Sequence, residues 1–159
     1  MDFYTVGVYG STEQSFFDKL IDNQIDTFCD IRQRRGVRGS KYAYVNSKYL
    51  QAKLEKLGIR YVYIPELAPS GEIRELQKLA DKQANVLKSE RKEISKVFEI
   101  AYRHRILSRF DFDSFFKQLQ QLSSHKIAFF CVEECAQACH RSLVTNTLKN
   151  QYNCNVKHL

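Results

Sequence analysis

Residues 127–142 decide the fold: Ile127-Ala128-Phe129-Phe130-Cys131-Val132-Glu133-Glu134-Cys135-Ala136-Gln137-Ala138-Cys139-His140-Arg141-Ser142. The opening run, Ile127 to Phe130, is unbroken apolar sequence, as expected of a strand buried on both faces. Leu143 to Leu148, beyond it, reads as a helix. A buried strand that turns directly into a helix is the core of an α/β fold. In such folds the turn lies at the carboxyl edge of the sheet, where ligands bind. Here that turn carries acid, thiol, imidazole and guanidinium together, which marks it as a site.

Working outward, the rest of the chain alternates in the same way. Tyr4 to Tyr9 reads as the first strand, with Gly7 and Gly10 near its end. Ser11-Thr12-Glu13-Gln14 resembles a capping box, and Phe16, Phe17, Leu20 and Ile21 form the apolar face of the helix it starts. Thr27 to Ile31 is a second strand, and Arg32 to Ser40 a loop. Asn46 is placed to cap a helix running to Leu57, with Tyr49, Leu50, Leu54 and Leu57 on one face and Gly58 as its stop. Ile59 to Ile64 is a third strand, ended by Pro65.

From Glu72 to Leu122 the periods become helical. Ile73, Leu76, Leu79 and Ala80 mark one helix, and Ile94, Val97, Phe98, Ala101 and Tyr102 a second. Asp111 caps a third that carries Phe112, Phe115, Phe116 and Leu119. Ile127 to Val132 is the fourth strand, and Val156 to Leu159 a short last one. The pattern predicts an α/β fold: a mostly parallel sheet of about five strands flanked by helices, joined by right-handed crossovers. Residues 71–123 form a helical insertion before the fourth strand, within one domain spanning 1–159.

Composition narrows the class. With 159 residues and 43% hydrophobic content, the chain can bury a core. No apolar run approaches the ~20 residues of a membrane helix. Met1-Asp2-Phe3-Tyr4 does not resemble a signal peptide, so a cytoplasmic location is expected. Five cysteines, an odd number, read as free thiols. Cys29 sits in an apolar run and reads as core, and Cys154 is assigned no role.

The net charge of +7 is concentrated in one segment. Residues 32–60 hold nine basic residues (Arg32, Arg34, Arg35, Arg38, Lys41, Lys48, Lys53, Lys56 and Arg60) against Glu55 alone. A patch of this kind points toward phosphate or nucleic acid. Tyr42 and Tyr44, just after the arginines, either stack on bases or pack into the core.

The predicted strand ends gather the chemistry on one rim. Gly7 to Ser11, Asp30-Ile31-Arg32, Pro65-Glu66 and Cys131 to Glu133 would face a common crevice with Cys139 to Ser142. Asp30, Glu133, Cys139 and His140 are the candidate catalytic residues. Carboxylates and imidazole transfer protons, and a thiol beside a cation at a helix start is activated. Ser11, Arg32, Arg141 and Ser142, with Arg34, Arg35 and Arg38, are the candidate phosphate- or nucleic-acid-binding residues.

Three motif readings are weaker. Cys131, Cys135 and Cys139 repeat every four residues, but a strand position for Cys131 argues against convergence on a cluster. Cys135 and Arg141 have the spacing of a cysteine phosphatase loop, without its glycine. A mononuclear metal site using Cys, His and Glu side chains is chemically possible, but no paired ligand spacing supports zinc, so metal, cofactor and oligomeric state stay unassigned.

Several of these motifs recur together in one family. The small residues after the first strand, Asp30-Ile31-Arg32, Gly58-Ile59-Arg60-Tyr61, Pro65-Glu66-Leu67, Cys131-x-Glu133 and Cys139-His140-Arg141-Ser142 resemble the domain of unknown function 488 family over nearly the whole chain. The resemblance implies a compact α/β domain with its motifs on one rim, and brings no reaction with it. It places Asp30, Arg32, Glu133, Cys139, His140 and Arg141 at family-like positions. Cys135 stands where a non-cysteine is expected.

The expectation is an enzyme acting on a phosphate-bearing substrate, nucleic acid or nucleotide. Arg32 and Arg141 would hold phosphate, and residues 32–44 would track the polyanion. Asp30, Glu133 and His140 would supply acid/base or ligand chemistry. The alternatives are a non-catalytic nucleic-acid-binding module and a thiol enzyme using Cys139.

Overall fold

Strands and helices alternate from the first residues onward. Their order is β1 (Asp2–Val6), α1 (Glu13–Asp22), β2 (Thr27–Asp30), α2 (Ser47–Lys56), β3 (Arg60–Tyr63), α3 (Gly71–Gln83), α4 (Lys96–Arg105), α5 (Phe112–Gln121), β4 (Lys126–Phe130), α6 (His140–Tyr152) and β5 (Val156–His158). The computed structural model describes residues 1–159, except the Ser89 side chain. Every strand pairing is parallel, in the order β3-β2-β4-β1-β5. The fold is α/β, with α3, α4 and α5 inserted before β4. No helix among the described residues is long and apolar enough to cross a membrane.

Alternating side chains divide the interior into two layers. Phe28, Ala128 and Phe130 face Phe16, Phe17, Leu20, Leu50 and Leu54 of α1 and α2. Phe3, Cys29, Ile127 and Phe129 face Ile73, Phe98, Tyr102, Phe115 and Leu143 of the other four helices. Both faces of the central strands are therefore covered, which is why 127–130 is uniformly apolar. Burying each such phenylalanine contributes about 1.5–3 kcal/mol.

The register aligns the carboxyl ends of the strands. Phe130 lies beside Val6 on one side and Asp30 on the other, and Asp30 beside Tyr63. Residues immediately after these positions share one rim.

Some local details differ from the sequence reading. The strands are shorter, since the residues at 7–9 and 131–132 already leave the ladder for the rim. Thr12 caps α1, but its capping-box partner is Ser15. Asn46 stands at the start of α2, yet its Oδ1 accepts from the Val37 amide and ties down the basic loop instead. Asp111 caps α5 as expected, accepting from the Ser114 amide. Ile21, Tyr49, Leu79 and Val97 are exposed. A helix on the outside of a sheet buries only a narrow stripe, and Phe16, Leu50, Ile73 and Phe98 already fill it.

Candidate functional site

The rim is stitched together by main-chain bonds. The amides of Val8 and Tyr9 both donate to the Val132 carbonyl, and the Ile31 amide to that of Phe130. Gly7 permits the approach: a Cβ there would lie 2.0 Å from the Glu133 carbonyl oxygen. After Glu133 the chain makes a short turn, Ala136–Ala138, and Cys139 stands at the N-cap of α6 with extended backbone.

Cys131, Glu133, Cys139 and His140 converge beneath this turn. Their relative exposures are 6%, 7%, 2% and 6%. Cys139 Sγ lies 3.7 Å and Cys131 Sγ 3.9 Å from His140 Nδ1. The Cys131 thiol donates to Glu133 Oε2 at 3.3 Å. His140 Nε2 is 3.1 Å from the Ile31 carbonyl oxygen. A carbonyl only accepts, so Nε2 carries a proton and Nδ1 is turned to both sulfurs. The Tyr102 ring packs beside the imidazole at 5.5 Å.

Each group perturbs the others. Burial pushes the Cys139 thiol up, but its hydrogen bond with Cys131, the charge and hydrogen bond of His140, and the Arg141 charge hold it well below the ordinary thiol range. Cys131 moves well above that range, through its hydrogen bond with Cys139, burial, and the Cys139 and Glu133 charges. Burial pushes His140 down, but Cys139, Glu133 and the Ile31 carbonyl raise it overall. Glu133 is raised by burial and then by Cys139, against Lys88 and His140.

The other expected residues surround this cluster without all joining it. Asp30 takes Arg32 in a two-pronged ion pair, Nε at 2.9 Å and Nη2 at 2.8 Å, and accepts from Tyr61 at 2.8 Å. Arg32 also lies over the Phe130 ring at 4.5 Å. Arg141 is buried and donates to the carbonyls of Glu133 (2.6 Å) and Glu134 (2.8 Å), which shapes the turn. Arg32 Nη1 and Arg141 Nε find no partner among the described residues. Ser142 Oγ donates to the Cys139 carbonyl. Ser11 sits on the β1–α1 loop, its carbonyl accepting from Tyr44 Oη.

The basic loop leaves β2 at this same rim. Arg34 and Arg38 are exposed, and Arg35 lies over the Tyr63 ring at 4.2 Å. Tyr44 is buried, and Tyr42 accepts from the Gly10 amide. Both tyrosines thus secure the loop against the β1–α1 connection. Glu66 is exposed in the turn that follows β3.

Sequence reasoning missed one wall of the site. Arg91, between α3 and α4, donates to Asp81 (2.8 Å), Glu133 (3.3 Å) and the Ala138 carbonyl (3.0 Å). Lys88 Nζ lies 3.5 Å from Glu133, and the Ile94 amide donates to the Gln137 carbonyl. This segment straps the turn from outside. Arg91 and Glu133 are 42 positions apart, and no local spacing signals their pairing. Cys131 also converges with Cys139, contrary to expectation, because alternation along β4 keeps it on the Phe129 face, the side that α6 covers. Cys135 turns away, toward the Lys92 carbonyl and Gln137. Donor atoms of Cys131, Cys139 and His140 all lie within 4.8 Å of one another, a set able to hold one metal ion.

A family model described as "Domain of unknown function DUF488" matches residues 12–148. Comparison with curated proteins and with solved structures gives no match.

Proposed function

The chain belongs to the DUF488 family, whose description assigns no reaction, and we propose that it is an enzyme acting on a phosphate-bearing substrate, nucleic acid or nucleotide, at the strand-end rim. One observation carries this reading. The buried cluster of Cys139, His140 and Glu133 is joined through the Ile31 carbonyl to the start of the arginine loop. Burying several ionisable groups together costs stability, and such clusters concentrate at functional sites. A dense positive loop at the same edge supplies the electrostatic attraction for a polyanion.

The geometry supports the following roles. Arg34, Arg35 and Arg38 attract phosphate, and Arg32 adds its unpartnered Nη1. Asp30 orients Arg32, and Arg141 orients the turn through two carbonyls. Glu133 and His140 supply proton transfer or ligand chemistry.

Labelled RNA and DNA oligonucleotides and free nucleotides test the reading. Wild-type binding should weaken steeply with salt. An Arg34→Ala, Arg35→Ala, Arg38→Ala variant should bind more weakly, its salt slope reduced by up to about 3. Glu133→Gln and His140→Asn should keep binding and lose product formation. Salt-insensitive or absent binding would overturn the phosphate reading. Binding without turnover by the wild type would leave a non-catalytic module.

The 3.7 Å approach of Cys139 Sγ to His140 Nδ1 favours a second reading, a thiol enzyme using Cys139. Turnover that survives a chelator but not Cys139→Ser would select it. Turnover unaffected by Cys139→Ser would eliminate it.

A further inference from the structure

We propose that Cys131, Cys139 and His140 bind a single zinc-class ion through two sulfurs and Nδ1, at the base of the crevice. The spacing is the first argument. A sulfur and a nitrogen on one tetrahedral zinc lie about 3.6 Å apart, from the usual bond lengths. Here the two sulfur-to-nitrogen distances are 3.7 and 3.9 Å, and all three donors lie within 4.8 Å of one another. The two sulfur-to-nitrogen pairs need a contraction of only a few tenths of an ångström, and the sulfur pair, which would stand about 3.8 Å apart on such an ion, starts within 4.8 Å.

Orientation is the second argument. His140 Nε2 is held by the Ile31 carbonyl, which leaves Nδ1 as the free donor. A backbone carbonyl on the second ring nitrogen is the outer support that ligating histidines use. The chain builds this support across the sheet, from the end of β2 to the start of α6.

Donor chemistry is the third. Two sulfurs and an imidazole select soft or borderline ions of the zinc class over magnesium or calcium. Three protein ligands leave a fourth position open, the arrangement of reactive rather than closed structural zinc sites. Glu133, with Oε2 3.3 Å from Cys131 Sγ, is a carboxylate in contact with this donor set. Its other oxygen faces Arg91 and Lys88. The fold therefore places a carboxylate against the donor set, where it could accept a proton. For its chemistry the proposal rests on the enzymatic reading above. For binding the ion it does not.

Cobalt titration of the reduced, chelator-treated protein is the test. One equivalent should give a thiolate-to-cobalt charge-transfer band with intense visible bands of tetrahedral cobalt, displaced by zinc. Losing an outer-shell partner typically weakens metal binding by about 10–100-fold, so Cys131→Ser, Cys139→Ser and His140→Asn should each weaken it at least that much. Cys135→Ser and Cys154→Ser should not. Alkylation mapping of the wild type guards against misfolded variants: zinc should protect Cys131 and Cys139 and leave Cys135 and Cys154 reactive. Absence of the cobalt band, or a band that depends on Cys135 or Cys154, overturns the site. Metal binding without turnover would sink the enzymatic reading and keep the site. Full turnover in a protein that binds no metal would do the reverse.

Discussion

His140 Nε2 and the Ile31 carbonyl oxygen, 109 positions apart in the chain, meet at 3.1 Å and lock the first residue of α6 to the end of β2. This bond aims Nδ1 at Cys131 and Cys139. Replacing His140 with Phe keeps a ring against Tyr102 but leaves the buried Ile31 carbonyl without its donor. That loss should lower stability by about 1–3 kcal/mol, read as a lower urea midpoint with an unchanged slope. A stability equal to wild type would mean that the bond contributes nothing to the fold.

Arg91 is the latch on the cluster. It joins Asp81, Glu133 and the Ala138 carbonyl, and so holds the α3–α4 segment over the turn that covers Cys139. Hydrogen bonds to charged groups are worth about 1.5–3 kcal/mol each. Removing them in Arg91→Ala should favour local opening, and 1.4 kcal/mol of opening is a factor of about 10. Iodoacetamide should then modify Cys139 roughly ten-fold faster or more, with a far smaller change at the half-buried Cys135. An unchanged rate at Cys139 would show that the strap does not control access.

Much of this was legible in the sequence, for physical reasons. The run Ile127–Phe130 is apolar because both faces of β4 are covered, so the parallel sheet could be read from it directly. Asp30 ends β2, Glu133, Cys139 and His140 follow β4, and parallel strands of matched register put those ends on one rim. The partners within the rim were not legible. Asp30 chooses Arg32 and Tyr61 rather than the cluster, and Arg141 takes two carbonyls, because those groups happen to lie within reach in three dimensions. The apolar neighbours of Cys131 place it on the strand in sequence. By alternation it shares the face of Phe129, the side covered by α6, and so its sulfur meets His140. Arg91 belongs to the helical insertion, whose periodicity reports only its own core-facing stripe.

Tyr61 gives the Asp30 side of the rim an alkaline signature. Burial, and then the Asp30 charge, push its phenol up to about 12, against the opposing pull of Arg35. In the unfolded chain it ionises near the ordinary tyrosine value of about 10. Folding therefore favours the protonated phenol. That contribution is complete below pH 10 and is lost as pH rises toward about 12. Phenolate absorbance should show a late-titrating group that Tyr61→Phe removes. The variant should also lose less stability than wild type over the same alkaline range. A titration curve unchanged by the substitution would refute the assignment.

Gly7 is the position at which the rim tolerates no side chain. The β1 and β4 extensions approach so closely there that a Cβ would lie 2.0 Å from the Glu133 oxygen, 2.9 Å from its carbonyl carbon and 3.0 Å from Arg141 Nη2. Two of these three atoms belong to backbone, which cannot rotate aside as a flexible side chain can. The third belongs to a guanidinium that already holds the Glu133 and Glu134 carbonyls. Gly7→Ala must therefore separate the two extensions or displace Arg141, and either moves Glu133 away from Cys131. Overpacking of this kind costs about 1–3 kcal/mol or more. The fold should survive in part, since the β1–β4 ladder from Asp2 to Val6 lies below the clash. Cobalt binding should weaken along with stability, because Cys131 and Cys139 flank the displaced turn. Circular dichroism melting together with cobalt titration reads both effects. A variant with wild-type melting and wild-type metal affinity would show that the close approach at Gly7 is not needed to build the site.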